Sequence, residues 1–442
     1  MTSSATRFRY VTPLVAAHAV GTFLVATNVV VATLLPLIAL RTYGARPFEL
    51  LLMTAAVPTL FTTSIFWQAL LRRISLRRYI AVQWAVGVLP VMLMPLTQQY
   101  WQLLICHVVA ASGFAGWVPL SGVLLKRLYP DRVRGRAFAV LNAVALGSQI
   151  AVYLWAGAWL KIDAEAFRLL IPLLVTGQTA GMLLMAWIAD GAATSAAPAP
   201  ASVSAPRRPT WRALIEPIRR MRAILATDRR FMRYETAFMT YGCGFMIGDA
   251  LLPLLVTHRL GLEYDQITSA GFATFRGCML LAALPAGWLL DRVGPMRTAS
   301  VAFAGLVFYP LLLLSATSAV GLGWASVLYG FMMAGVNLAW MLGPLTLANS
   351  ADQVSEYVAI HTTLVGIRGV LFQGVGIALY ALTDSFVWPL VLAAAMFGLA
   401  AWQMWRLHVD GQAAALPVAG HAHSPTAPEP ARQESEPAKE LA

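Results

Sequence analysis

Long apolar stretches alternate with short polar ones along nearly the whole chain. A helix needs roughly 20 apolar residues to cross about 30 Å of hydrocarbon. Runs of about that length recur twelve times, near 13–39, 47–71, 80–96, 101–125, 137–160, 169–189, 231–257, 265–290, 298–317, 322–347, 358–382 and 386–405. The pattern predicts an all-α integral membrane protein with twelve spans. The first run is too long for a secretory leader and no small-residue cleavage site follows a short core, so it is read as a retained first span.

Composition supports the bilayer as solvent. Of the 442 residues, 59% are hydrophobic and 12% charged, against about 25% charged in an average soluble domain. Cys106, Cys243 and Cys278 are dispersed within the runs and imply no disulfide framework.

A net charge of +12 invites a nucleic-acid reading, and its distribution argues against one. Loops of one side carry 22 Lys and Arg residues; those of the other carry five: Arg41, Arg46, Lys161, Arg168 and Arg259. This is the bias that keeps basic loops in the cytoplasm. It predicts a multi-pass protein of the cytoplasmic (inner) membrane with both termini cytoplasmic, its basic loops touching anionic lipid.

The runs divide into six and six. The expected organisation is a six-helix bundle over 1–189, a cytoplasmic linker over 190–230, a second bundle over 231–406 and a disordered tail over 407–442. "DGAATSAAPAPASVSAPRRPT" reads as a flexible link. In "WRALIEPIRRMRAILATDRRF", apolar residues recur near helical spacing among arginines, which predicts a helix on the membrane surface. The tail's His421 and His423 lack the further converging ligands a metal site needs. The halves also look alike: "LLPL" at 34–37 returns at 251–254, and Gly44 and Gly261 keep the same offset. Such duplication is common in secondary transporters.

Between the eighth and ninth runs stands "GWLLDRVGPMR". It resembles the loop signature of the major facilitator superfamily through Gly287, Asp291, Arg292, Gly294 and Arg297. "PDRVRGRAFAV" is similar to that family's fourth–fifth loop through Arg134, Gly135, Arg136 and Ala137. The resemblance covers about residues 10–406. It departs in the second–third loop, "LLRRISLRRY", which has neither Asp nor Gly. "LGSQIAVYLWAGAW" in the fifth run also lacks the Gly-Pro-Gly-rich pattern of drug/proton antiporters, which speaks against drug export.

The resemblance implies two pseudo-symmetric six-helix bundles that rock about a central site, with no enzymatic activity and no cofactor. The implied partners are a small solute, protons and the lipid bilayer, with no nucleic acid and no second copy. It also implies a cytoplasmic gate. Asp291, beside Arg292, is expected to meet the start of the fifth span near Arg134 and Arg136, where helix N-termini favour negative charge. On the other diagonal, Asp352 and Glu356 are expected to face Arg72 and Arg73. Ordinary loop charge with incidental acids is the plainer alternative, since exposed pairs are weak.

Ionisable groups at bilayer depth are costly and usually functional. The run interiors hold Asp249, Arg276 and Arg368, which the resemblance places around the second-half cavity. One reading is a structural ion pair of Asp249 with an arginine, Arg276 being the expected partner. The leftover charge, Arg368, then suits a small organic anion. Asp249 is the expected proton-coupling acid. Asp249, Arg276 and Arg368 are expected to form one cluster, and Arg276, Asn28, Asn142, Gln149, Tyr241, Asn337 and Trp340 join Arg368 as substrate-binding candidates. His18, His107, Trp117, Tyr153 and Gln373 are further polar groups, any of them equally suited to joining helices. Glu235 is read as interfacial. No phosphate-cradling loop, nucleophile set or metal-ligand spacing is found, so an ATP-driven pump or a hydrolase is unsupported. Efflux of amphipathic compounds and a transport-inactive sensor remain the rival readings.

Overall fold

The computed structural model describes residues 12–71, 73–129, 131–193, 211–348 and 351–415. All regular structure among them is helical. The expected linker falls in part on 194–210, and the expected tail in part on 416–442, both outside the described residues. The last helix runs to Ala415, past the boundary expected at 407.

Ten helical stretches are long and apolar enough to cross a membrane. Two departures from twelve have local causes. Tyr264–Ser315 is one stretch of 52 residues, about 78 Å at 1.5 Å per residue and more than two bilayer cores long. It turns at Gly294, whose φ of 78° and ψ of 168° leave the helix. Only glycine adopts that backbone cheaply, and Pro295 follows at once. The eighth and ninth spans are therefore its two parts. The second span is helical over Pro47–Phe61 and again over Ser64–Leu71. At the break, the Thr62 hydroxyl donates to the Thr59 carbonyl and the Thr63 hydroxyl to the Leu60 carbonyl, each at 2.6 Å. Such back-bonding, four residues after Pro58, bends a helix.

The duplication is visible in backbone geometry. Gly44 and Gly261 both turn left-handed, at φ 61° and 59°. After the first, the Ala45 amide donates to the Ala39 carbonyl; after the second, the Leu262 amide donates to that of Val256, both at 3.0 Å. These bonds, each reaching back six positions, close matching left-handed helix ends at the same offset.

Helix Trp211–Thr227 lays Met221, Ile224 and Leu225 against the core of the second half. Asp228 then caps the seventh span, accepting from the amides of Arg230 and Phe231 at 3.0 and 2.9 Å.

The apolar cores show how the halves meet. Toward the arginine-rich end there are two, one around Trp67, Tyr79 and Met185 of the first half and one around Phe238, Phe303 and Tyr357 of the second, which Leu146 of the fifth span joins. Toward the opposite end a single cluster joins Leu34, Tyr153 and Phe167 to Leu255, Tyr264 and Leu322. There Lys161 pairs with Asp265 at 2.9 Å and Arg41 with Glu263 at 3.6 Å. Arg41 also donates to the Leu262 carbonyl and lies 4.4 Å over the Tyr264 ring. Fifth and eighth spans touch so closely that a Cβ on Gly157 would overlap Thr268, with the Asp265 Cα at 3.1 Å. The halves are thus sealed at the end opposite the basic loops.

Candidate functional site

Two adjoining chambers lie between the halves. The first, of about 340 Å³, is walled mostly by apolar side chains, among them Val57, Met94, Phe114 and Phe245, with Asn28 and His107 as polar members. The second, of about 250 Å³, is lined mostly by the second half, through Arg276, Tyr309, Tyr329 and Asn337, with Thr33 and Tyr153 entering from the first. Asp249, Phe245, Leu252, Phe272 and Thr33 belong to both walls. Asp249 therefore stands where the chambers meet.

The expected ion pair of Asp249 with Arg276 is not formed. The nearest polar partner of Asp249 is the Gln373 side-chain amide, whose Nε2 lies 3.5 Å from Oδ2. The Arg276 guanidinium rests 4.6 Å over the Phe275 ring, and its buried Nε has no hydrogen-bond partner. Position along a helix brings the two residues to one chamber, and side-chain direction keeps them apart.

Arg368 departs from expectation in the other sense. It is 7% exposed and is not among the residues lining either chamber. Its Nη1 donates to the Phe238 carbonyl at 2.6 Å, and its guanidinium fills the space left by Gly242, where a Cβ would overlap it. Its Nε has no partner. The charge facing the chamber is thus Arg276, and the charge packed in the wall is Arg368. No three-way contact cluster of Asp249, Arg276 and Arg368 exists.

The remaining expected binding residues divide. Asn28 and Asn337 line the chambers, and Asn337 donates to the Met279 sulfur at 3.4 Å. Tyr241 is core: it stacks on Phe303 at 4.5 Å and its hydroxyl donates to the Met333 sulfur at 3.3 Å. Gln149 is buried outside both walls with Oε1 unpartnered, while Asn142 is exposed. Trp340 packs edge-on to His361 at 5.3 Å. His18 is structural, within 3.1 Å of the Tyr129 hydroxyl. His107 lines the first chamber with Nε2 3.1 Å from the Met53 carbonyl.

Of the expected gate, Arg72 and the side chains of Asp352 and Glu356 lie outside the described residues. Asp291 is exposed. Arg134 donates to the Tyr129 carbonyl at 3.3 Å, Arg292 covers the Trp288 ring at 4.0 Å, and Arg73 is exposed.

The reading of Glu235 as interfacial is overturned. It is 1% exposed, and both carboxylate oxygens lie 2.8–2.9 Å from His361 Nδ1. His361 is itself 2% exposed. Sequence reasoning missed this pair, although a histidine inside the eleventh run, seven residues before an arginine, was a signal for it.

A family model described as Major Facilitator Superfamily matches residues 18–379. A search among curated proteins finds no match. Solved structures match in fold. A variant of the nucleoside transporter NupG aligns with TM-score 0.62 at 12% identity, covering 90% of this chain and 99% of that one. A bacterial homolog of the human lysosomal transporter Spinster, in an inward-facing and unoccupied conformation, gives 0.59 at 14% identity, covering 90% and 98%. FucP, in an outward conformation, gives 0.58 at 15% identity, covering 90% and 99%. With its apolar helices, paired chambers and duplicated halves, the chain belongs to the Major Facilitator Superfamily and is a multi-pass membrane transport protein, not an enzyme.

Proposed function

We propose that the chain moves a small organic anion by alternating access, together with a proton. The observation that carries this reading is Arg276. It lines a chamber, its Nε has no hydrogen-bonding partner among the described residues, and it shares the wall with an acid it does not contact. A half-buried guanidinium without a counter-ion is favourably paired by a carboxylate, which offers it two parallel hydrogen bonds. Asn337, and Tyr309 and Tyr329 beside it, supply further donors in the same wall. The apolar first chamber suits a hydrocarbon body attached to the anionic group, so the solute is amphipathic as well as anionic.

Charge balance motivates the proton. With Asp249 ionised and Arg276 charged, the empty chamber is neutral. An incoming anion leaves one negative charge in a medium of low polarity. A proton on Asp249 restores neutrality, so anion and proton favour each other's binding, reciprocally. Asp249 is the proposed coupling acid and Arg276 the proposed anion ligand, with Asn28 and Asn337 orienting the solute. Arg368 acts from the wall. The site would work in the cytoplasmic membrane, with termini and linker cytoplasmic, in a monomer of two bundles. The gate of Asp291 with Arg134 and Arg136 would close in the alternate state.

The test is uptake of labelled aliphatic and aromatic carboxylates into proteoliposomes, with and without a pH gradient. Gradient-driven accumulation of an anion is expected. Transport of neutral or cationic amphipaths alone would favour the efflux reading, and no transport of any solute would favour a sensor.

A further inference from the structure

The seventh and eleventh spans carry a polar seam. Asp228, Glu235, Gly242 and Asp249 recur every seven residues along the seventh span, which keeps them near one face of a helix. Each meets a polar residue of the eleventh. Tyr357 donates to Asp228, His361 meets Glu235, Arg368 fills the space at Gly242, and Gln373 reaches Asp249. The seam leads from the basic end of the bundle to the chambers. Its second rung is unlike the rest: it pairs two groups that both bind protons, and both are buried.

The surroundings of that rung are apolar. Tyr234, Phe238 and Trp340 ring His361 at centroid distances of 6.0, 5.3 and 5.3 Å. His361 Nε2 is buried and has no partner. A neutral ring donating from Nδ1 leaves Nε2 as an empty acceptor, while a protonated ring leaves it as an empty donor. Either state leaves an unmet valence, so neither is locked in by its contacts. A histidine held for structure alone has both nitrogens satisfied, as a rule.

The charges facing the pair are few. The seventh span contributes Tyr234, whose hydroxyl donates to the Ala339 carbonyl at 3.1 Å, and Asp228 one rung away. The eleventh contributes Tyr357 and Arg368, the latter within electrostatic reach of Glu235. The ninth, tenth and twelfth spans bring Phe303, Trp340 and Phe397 to this core, none of them ionisable. With Glu235 ionised and His361 neutral, the carboxylate balances Arg368. Adding a proton leaves the group with one positive charge. The cluster therefore has two states one proton apart, and Arg368 sets the balance between them.

We infer that Glu235 and His361 form a second proton-binding site, distinct from Asp249, that takes up and releases one proton as a unit on the basic side of the chambers. It deepens the proposed proton coupling and rests on that reading for its role in transport. Its existence does not depend on which solute is carried. With it, a proton leaving the chambers along the seam has a place to stop before the cytoplasmic surface.

The experiment needs no substrate. Protein with ring-¹⁵N histidine and side-chain ¹³C glutamate is purified in nanodiscs and followed by NMR from about pH 4 to 10, spanning the ordinary histidine range. The chain has seven histidines, and the signal lost in His361→Gln identifies this one. The expected result is a titrating His361 whose step coincides with a change at the Glu235 carboxyl. Glu235→Gln should move that step down by at least about one pH unit, because the ring loses the carboxylate it contacts in an apolar wall. Arg368→Gln should move it up by about one unit, the effect of removing a charge roughly 10 Å away at an effective dielectric near 20. Arg368→Lys should leave it in place. A His361 that keeps one protonation state across the range overturns the proposal, and wild-type protein alone shows this if a variant fails to fold. A step unmoved in monodisperse Glu235→Gln overturns it as well. A protein that transports no anion yet titrates at His361 removes the transport reading and leaves this one; an active transporter with a silent His361 does the reverse.

Discussion

Cutting the ties at the sealed end should tip the molecule toward its other conformation. Two side chains of the first half hold that end polar-side to the second: Arg41 and Lys161. The Lys161–Asp265 pair is half exposed, with side-chain accessibilities of 52% and 33%, so it contributes about 0.2–1 kcal/mol. Arg41 is better placed, at 23% exposure. Its charged hydrogen bond to the Leu262 carbonyl contributes about 1.5–3 kcal/mol and its stacking over Tyr264 about 0.5–1 kcal/mol. Removing both side chains should withdraw about 3 kcal/mol from this state, roughly a hundredfold in the equilibrium. A minor conformer held at about 1% would rise to about half. Spin labels at Ile162→Cys and Val320→Cys report the sealed end, and labels at Val133→Cys and Met232→Cys report the basic end. In Arg41→Ala/Lys161→Ala, the first pair should gain a longer distance component and the second a shorter one. Unchanged distributions at both ends would mean that the apolar cluster alone seals the molecule, and the reasoning would fail.

Asp249→Asn should abolish accumulation driven by a pH gradient while leaving solute exchange measurable; retained pH-driven accumulation in proteoliposomes removes Asp249 from the coupling. Arg276→Gln should weaken binding of the transported anion by about 10- to 100-fold, the worth of a charged hydrogen bond, and Arg276→Lys should recover only part of it because a lysine lacks the planar fork; calorimetry on monodisperse protein decides. Ser202→Cys in the linker should label only with reagents that reach the cytoplasm, and reaction with an impermeant reagent on intact cells would invert the topology.

Much of the architecture was legible because the bilayer imposes it. Runs of apolar residues, the excess of arginine on one side and the turn at Gly294 are one-dimensional signals. The offset that pairs Gly44 with Gly261 was visible as letters and returned as matched left-handed turns. The site was legible only in part. Asp249 and Arg276 stood out because charge is rare at that depth, and both line the second chamber. Which arginine faces it was not readable, since rotation about the helix axis and the direction of a long side chain decide that. Glu235 was misplaced for a related reason. It lies six residues into its span among Arg229, Arg230 and Arg233, which reads as a wet helix end until the eleventh span is laid over it.

The close approach at Gly157 makes the fifth and eighth spans a short-armed lever. Packed helices lie about 8–10 Å apart, and the basic ends are on the order of 25–30 Å away along the axes. A single methyl wedged at that point, about 1–2 Å thick, tilts one arm against the other by about a tenth of a radian or more. The far tips then travel about 3 Å. The missing side chain at residue 157 is therefore a matter of gearing: it sets the smallest displacement at the pivot, and hence the reach of the opening at the other face.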